Sequence, residues 1–244
     1  MIALPLGFLG AFGGAIDFIF QPREPQVGGQ GAPEVGGLGQ VWEFAWTHIW
    51  ISAFALAVAM VIAIPPALYL GHRGTGELFA IALGNAGRAV PELALIAFAG
   101  AFLGFGVINL TLALMVVGVP PILTNSFVAI REVDQGTIAA ARGMGMSEWE
   151  VLRSVELPLA APTIIGGIRT AALNIIATAT IAPLAGVLTL GDFIISRNVY
   201  GDDGVLAGAI LVAVLALTVE LLLGAAQRAL TPKGVRLQRA VASA

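Results

Sequence analysis

Few residues of this 244-residue chain are of types that carry out catalysis or bind a metal ion. The chain has no cysteine, and its two histidines, His48 and His72, form no pair with metal-binding spacing. Lys233 is the only lysine, and Gly234 follows it, so the Gly-Lys-Ser/Thr sequence of a phosphate-binding loop is absent. We therefore expect no catalytic residue, no metal site and no cofactor in this chain. Transport or membrane architecture remains as the class of function.

Other polar residues lie inside long apolar runs, where a charge costs at least about 2.5–3.5 kcal/mol at the bilayer centre. Arg88 and Glu92 have i,i+4 spacing, which predicts an ion pair on one helix, with gating or pathway lining as the alternative. Glu220 is expected at the cytoplasmic interface near Arg228. The asparagines in such runs suit either interhelical hydrogen bonds or pathway lining. The candidates for a solute pathway are Asn85, Arg88, Glu92, Asn125 and Asn174.

Residues 131–158 mix acidic, basic and helix-forming residues, a composition that does not suit burial in lipid. The segment before Gly145 has a helix-forming composition, which this glycine interrupts. Ser147 followed by Glu150 fits the Ser-x-x-Glu capping box, which predicts a second helix that Pro158 ends. The 131–158 loop is therefore predicted to form two short helices on the cytoplasmic face, suited to docking against a partner protein.

This loop resembles the coupling motif of bacterial ABC importer permeases. That motif reads Glu-Ala-Ala, three residues, Gly, nine residues, then Ile-x-Leu-Pro, and this chain has the same spacings. Here Ala139 replaces the glutamate and Val155 replaces the isoleucine, so no charged contact is expected at position 139. The resemblance implies contact with an ATPase through Ala139, Ala140, Ala141, Arg142, Gly143, Met144, Gly145, Met146, Leu157 and Pro158.

The similarity is closer to one group of these permeases, which transports the osmoprotectants glycine betaine, carnitine and choline. It extends over about residues 46–230. Glu92 stands where that group usually has a small hydroxyl residue, and Leu188-Thr189 replaces a Gly-Gly pair. The resemblance thus defines the family better than the substrate. The segments that carry it are 141–146, 155–160, 167–171 and 190–194, with Asn85, Arg88, Pro91, Leu93, Ala94 and Leu95 upstream.

The resemblance implies an ATP-driven importer of type I. Two permease chains, identical or homologous, would form the pathway, and two ATPase subunits that bind ATP and Mg would dock beneath them. The 139–158 segment would fit a cleft of an ATPase subunit. An extracytoplasmic binding protein would deliver a small osmolyte such as glycine betaine, carnitine or choline. The alternatives are a similar permease for an amino acid or other small solute, and a gradient-driven carrier without an ATPase, which would leave the 131–158 loop unexplained.

The composition determines which elements must position these residues. Hydrophobic residues make up 58% of the chain and charged residues 11%, which predicts an all-α polytopic membrane protein. The resemblance implies that this membrane is the bacterial inner membrane. A membrane helix needs about 20 apolar residues. We expect a permease domain at 41–230 and a cytoplasmic tail at 231–244, and no nucleic-acid partner. Its five core transmembrane helices are predicted at about 47–70, 78–103, 107–130, 164–188 and 204–227.

Basic residues predict the orientation of these spans, because Lys and Arg favour the cytoplasmic side. With the 131–158 loop inside, only Arg23 and Arg197 fall clearly outside. The inside set is Arg73, Arg131, Arg142, Arg153, Arg228, Lys233, Arg236 and Arg239. Trp42, Trp46 and Trp50 share one helix face and are expected to anchor the first span at the outer interface, with an aromatic cage as the alternative.

The N-terminal region leaves two interpretations open. Residues 1–20 are hydrophobic but contain Pro5, Asp17 and several glycines, so they predict either a sixth span or an interfacial or packed segment. Residues 21–40 are rich in glycine and proline, which predicts a flexible linker.

Overall fold

The computed structural model describes residues 6–27 and 32–231, and these residues are almost entirely helical. The predicted all-α membrane fold is confirmed, with one short antiparallel pair of strands, β1 (Pro22–Arg23) and β2 (Val35–Gly36). Beyond Thr231, the predicted tail lies outside the described residues. The helices of the described part are α1 (Leu6–Phe20), α2 (Gly37–Arg73), α3 (Glu77–Ala89), α4 (Glu92–Leu103), α5 (Val107–Arg131), α6 (Gln135–Gly143), α7 (Glu148–Val151), α8 (Leu157–Thr178), α9 (Leu190–Ile195) and α10 (Arg197–Leu230).

Some helical stretches of the described residues are long and apolar enough to cross a membrane. They are Gly37–Arg73, Val107–Arg131, Glu148–Ala185 and Arg197–Leu230. They overlap the predicted spans 47–70, 107–130, 164–188 and 204–227. The third stretch is not one uniform α-helix, because a π-helical segment (Leu152–Glu156) precedes α8 and a 3-10 helix (Ala179–Ala185) follows it.

The second predicted span, 78–103, differs from the structure, because the chain breaks there into two helices. α3 has 13 residues and α4 has 12, and Val90 between them is extended, with φ −82° and ψ 122°. Pro91 explains the break, since proline disfavours the helical conformation in the residue before it and lacks an N–H of its own. The i,i+4 argument for Arg88 and Glu92 is therefore wrong, because these residues lie on different helices.

The chain divides into two compact units. Unit 1 holds the described residues within 1–55, 92–114 and 175–218. Unit 2 holds those within 56–91, 115–174 and 219–244. The long helices α2, α5, α8 and α10 each contribute residues to both units.

The core of unit 1 includes the N-terminal helix. Phe18 of α1 is fully buried and contacts the rings of Phe193 and Tyr200 edge-on, at centroid distances of 5.3 and 6.1 Å. The described part of this helix has 15 residues and begins at Leu6. The two interpretations of residues 1–20, a sixth span or an interfacial or packed segment, both stay predictions. Phe44 of α2 contacts Phe193 in the same cluster.

The predicted linker at 21–40 differs from the structure in its bounds, because its described parts contain regular secondary structure. β1 pairs with β2, and α2 already begins at Gly37. Gly36 and Gly37 have φ values of +79° and +71°, which glycine adopts without strain, and they turn the chain from β2 into α2. Arg23 also donates a hydrogen bond of 2.7 Å to Asp203 of α10, so this end of the chain is tied to the unit 1 core.

The core of unit 2 is organised around a row of small residues on α2. Ala59, Ala63 and Ala67 recur every four residues and are fully buried. They pack against Ile122, Leu123 and Phe127 of α5 and Ala171 of α8. Small side chains at i,i+4 spacing allow helix backbones to approach closely. In lipid the hydrophobic effect does not drive helices together, so this close packing supplies the energy of their association.

Candidate functional site

The 131–158 loop begins with a capped helix, α6. The Asp134 carboxylate accepts hydrogen bonds from the Thr137 backbone N–H at 2.7 Å and from its hydroxyl at 2.9 Å. These bonds lower the pKa of the Asp134 carboxyl. The cap satisfies an N–H group that the first helical turn would otherwise leave unpaired. The start of this helix is therefore well defined.

α6 ends in a Schellman motif centred on Gly145. The Gly145 N–H donates to the Arg142 carbonyl at 2.9 Å, and the Met146 N–H donates to the Ala141 carbonyl at 3.3 Å. This pattern needs a left-handed residue at Gly145, whose φ is +84°. The motif explains physically why a glycine is required at this place in the loop.

The second helix begins at the predicted capping box. The Ser147 hydroxyl accepts a hydrogen bond from the Glu150 N–H, and the Glu150 carboxylate accepts one from the Ser147 N–H at 2.7 Å. α7 follows over Glu148–Val151.

The predicted end of this second helix at Pro158 is wrong. α7 passes through the π-helical segment directly into α8, so the loop and the membrane helix form one continuous element. In the π segment the Leu157 N–H donates to the Leu152 carbonyl, five residues back. This wider turn shifts the hydrogen-bond register just before the proline, which lacks an N–H to donate. Pro158 is thereby tolerated inside the helix.

The loop has a buried side and an exposed side. Ile138, Ala141 and Val151 are buried against residues of α5 and α8, including Ile130 and Ile164. Among the predicted ATPase-contact residues, Ala141 therefore lies in the core, and Met146 and Leu157 are partly buried. The exposed ones are Ala139, Ala140, Arg142, Gly143, Met144, Gly145 and Pro158. The side chain of Met144 is 77% exposed and that of Trp149, which sequence reasoning missed, is 66% exposed.

A polar network that the sequence did not reveal ties the loop to α2. Arg142 donates two hydrogen bonds to Glu148, at 3.0 and 2.8 Å, and this contact raises the pKa of Arg142. His72, near the end of α2, lies 3.1 Å from Glu148 and 2.6 Å from Glu156. His72 is far from both carboxylates in sequence, so no spacing rule identifies the cluster.

The predicted pathway candidates are not brought together by the described contacts. The Asn125 side chain donates to the Pro121 carbonyl of its own helix at 2.7 Å. Asn174 is exposed on α8, and Glu92 is exposed at the start of α4. The side chains of Asn85 and Arg88 lie outside the described part of the chain. The role of these residues in a pathway stays a prediction.

The interfacial position expected for Glu220, near Arg228 along the helix, stays a prediction. Glu220 of α10 forms an ion pair with Arg169 of α8, and Arg169 also donates to the Gln227 side chain. Gln227 in turn donates to the Pro162 carbonyl at 2.6 Å. Both charges lie in apolar runs, where pairing between helices compensates the loss of hydration. The sequence marks each charge but not its partner.

Several buried polar atoms within the described ranges have no hydrogen-bond partner. His48 of α2 contacts the Ile176 carbonyl through Nε2 at 3.1 Å, whereas its Nδ1 has none. The other such atoms belong to Ser52, Asn109, Thr111, Ser126 and Thr178. Within residues 6–27 and 32–231, no group of three His, Asp or Glu side chains is arranged to hold a metal ion.

Comparison with known proteins identifies the family. The sequence model of one protein family matches residues 59–233, more than half of the chain. This family is described as the binding-protein-dependent transport system inner membrane component. The chain belongs to this family. This permease is 40% identical to a carnitine transport permease protein of Listeria monocytogenes over 195 residues, which cover 80% of this chain and 89% of that one.

Two Bacillus subtilis permeases are also similar. A glycine betaine/carnitine/choline transport system permease protein is 35% identical over 190 residues, covering 78% of this chain and 88% of that one. A choline transport system permease protein is 36% identical over 199 residues, covering 81% and 92%. The permease is thus a multi-pass component of the bacterial inner membrane, as predicted.

Solved structures show the same fold. An inward-facing methionine ABC transporter chain superposes with a TM-score of 0.70 at 21% identity, covering 80% of this permease and 98% of that chain. An amino acid ABC transporter chain gives a TM-score of 0.64 at 18% identity, covering 78% and 94%. The predicted fold of an ABC importer permease is confirmed.

Proposed function

We propose that this permease forms the pathway of an importer for a small osmolyte and that the exposed side of the 131–158 loop docks onto an ATPase subunit. The observation that carries the proposal is the pair of capped helices around Gly145, which present exposed residues on one side and are packed on the other. The ATPase pair would bind ATP and Mg and carry out hydrolysis. This chain would be non-catalytic.

The substrate class rests on the relatives. The permeases most relevant to it are named for carnitine, choline and glycine betaine, and they are 35–40% identical over most of the chain. The two solved transporters described above differ from this chain at about four positions in five, so they support the fold and not an amino-acid substrate. A second permease chain and an extracytoplasmic binding protein complete the proposed complex.

Docking is tested by crosslinking, for which the cysteine-free chain is well suited. Met144→Cys places a thiol on the exposed side of the loop, and Leu222→Cys places one on an exposed face of α10 as a control. With an ATPase subunit carrying a thiol-reactive crosslinker in the same membranes, we expect an adduct with Met144→Cys and none with Leu222→Cys. Equal adducts, or none at Met144→Cys, would contradict docking.

Two exposed glycines of the loop provide a matched pair of variants. A Cβ added to either Gly143 or Gly145 meets no atom within 4 Å, but only Gly145 has a left-handed φ, of +84°. A side chain there costs about 1–2 kcal/mol of backbone strain. We expect Gly145→Ala to reduce ATP-dependent uptake through this strain, and Gly143→Ala to leave it near wild type. Gly145→Asp should abolish uptake, because it also adds a negative charge to the exposed side proposed to dock. Uptake of labelled glycine betaine, carnitine and choline into vesicles supplies the measurement.

The same uptake assay with labelled methionine tests the substrate class. ATP-dependent uptake of methionine alone would overturn the osmolyte assignment.

A further inference from the structure

His72 occupies a position where the last turn of α2 meets the 131–158 loop. Its side chain is only 9% exposed, and that of Glu156 is only 3% exposed. Nδ1 of the ring lies 2.6 Å from Glu156, and Nε2 lies 3.1 Å from Glu148. A carboxylate only accepts hydrogen bonds, so the ring donates from Nδ1 to Glu156. Glu148 lies within ion-pair distance of Nε2. The ring is thus held between two carboxylates.

The two carboxylates lie at the two ends of the second loop helix. Glu148 is the first residue of α7, and Glu156 is the last of the π-helical segment. Because they are eight residues apart, they project from the same side of the helix after about two turns. Glu148 is also bonded to Arg142 of α6. One side chain of α2 is thus connected to every helical part of the loop.

The other contacts of the loop lead to different helices. Its buried apolar residues pack mainly with the end of α5 and the start of α8, for example Ile130 and Ile164, and α2 adds the partly buried Leu68. Within residues 6–27 and 32–231, no hydrogen bond or ion pair other than those of His72 joins α2 to the loop. A displacement of the loop therefore reaches α2 through a polar connection only at His72.

We propose that His72 is a positioning residue that transmits movement of the 131–158 loop to α2, and this inference rests on the proposed docking of an ATPase to the loop. An ATPase subunit that moves the loop would pull or release the end of α2 through the Glu148–His72–Glu156 contacts. α2 carries the row of small residues at the centre of the unit 2 core, so its displacement would change how the membrane helices pack. Loss of the connection would leave docking intact but separate ATP hydrolysis from transport.

The test uses the complete complex of permease, ATPase and binding protein in proteoliposomes, with uptake and ATP hydrolysis measured together. In His72→Gln the two ring nitrogens are replaced by one amide nitrogen. We expect uptake per ATP hydrolysed to fall by about tenfold. A tenfold change corresponds to about 1.4 kcal/mol, which lies within the range of coupling energies between contacting residues. The ATPase should still co-purify. Arg73→Gln is the control, because Arg73 is exposed beside His72 and contacts the Tyr69 ring of its own helix.

His72→Arg tests whether contact with both carboxylates is the essential property. A guanidinium donates to two carboxylates at once. A cavity of about 200 Å³ lies beside His72 and is lined by Glu156 and also by Arg73, Arg131 and Arg142. We expect uptake per ATP to return to within a few-fold of wild type. A purely structural role predicts instead that uptake and hydrolysis fall in proportion, and that result, or failure of His72→Arg to restore the ratio, would overturn the proposal.

A second variant covers the case in which His72→Gln does not assemble. Glu148→Gln alters the exposed end of the connection, where the side chain is 63% exposed, and creates no buried charge. A reduced uptake-to-hydrolysis ratio supports the proposal, and an unchanged ratio overturns it. Uptake by the wild-type complex that does not depend on the ATPase would overturn the proposed function itself. That failure is visible without any variant.

Discussion

At the scale of residues, the Arg169–Glu220 pair shows how the partner decides the energy of a charge in an apolar run. The two side chains are 29% and 31% exposed, so the pair is only partly screened by solvent. Removing one partner leaves the other charge without compensation, whereas removing both does not. The sequence places Glu220 near Arg228 along α10, and the structure pairs it with Arg169 of α8.

A set of variants tests whether Arg169 or Arg228 compensates the charge of Glu220. We expect Arg169→Gln to destabilise the permease by about 1–3 kcal/mol, below the range for fully buried pairs because this pair is partly exposed. Arg228→Gln should have no measurable effect, since Arg228 is exposed on α10. The double variant Arg169→Leu/Glu220→Leu should recover most of the loss. Thermal unfolding in detergent supplies the measurement, and equal destabilisation by Arg169→Gln and Arg228→Gln would contradict the assigned pair.

At the scale of elements, proline and small residues decide where helices break and where they cross. Pro91 separates α3 from α4, while Pro158 lies inside a continuous helix because the π-helical segment precedes it. Both prolines look alike in the sequence, since each follows a helix-forming stretch. The packing around each proline decides whether the hydrogen bonds of the neighbouring helical turn rearrange to accommodate it.

The small-residue row of α2 leads to a prediction at the same scale. Ala63 is fully buried in the unit 2 core, whereas Val61, two residues earlier, is 73% exposed. Ala63→Leu adds atoms to a filled helix contact and should destabilise the permease by about 1–3 kcal/mol. Val61→Leu is the matched control and should be nearly neutral. If thermal unfolding shows similar effects for both, the close helix contact along this row is contradicted.

At the scale of the whole molecule, the orientation in the membrane follows from the distribution of Lys and Arg. The chain has no native cysteine, so single cysteines report sidedness without background. We expect Asp202→Cys, whose parent side chain is 76% exposed, to react with an impermeant maleimide in intact cells. Thr75→Cys, in the exposed turn after α2, should react only after permeabilisation. Reaction of both in intact cells would show that the predicted topology is wrong.

Local properties of the sequence determined the membrane class, the family and the form of the 131–158 loop. Long apolar runs are stable only in lipid, which defines the membrane class. The Ser147–Glu150 capping box involves only residues of one helical turn. The turn at Gly145 depends on the φ angle of that single residue. Short-range causes of this kind can be recognised from spacing alone.

Only the tertiary structure decided which distant residues meet. His72 with Glu148 and Glu156, Arg169 with Glu220, and the packing of α1 against Phe193 all join parts of the chain separated by dozens of residues. Helical periodicity places each residue on a face, but the helix that this face contacts depends on how all the helices pack together. The helix–Gly–helix form of the loop was therefore predictable from its motif, whereas the exposure of its individual residues and its connection to α2 were not.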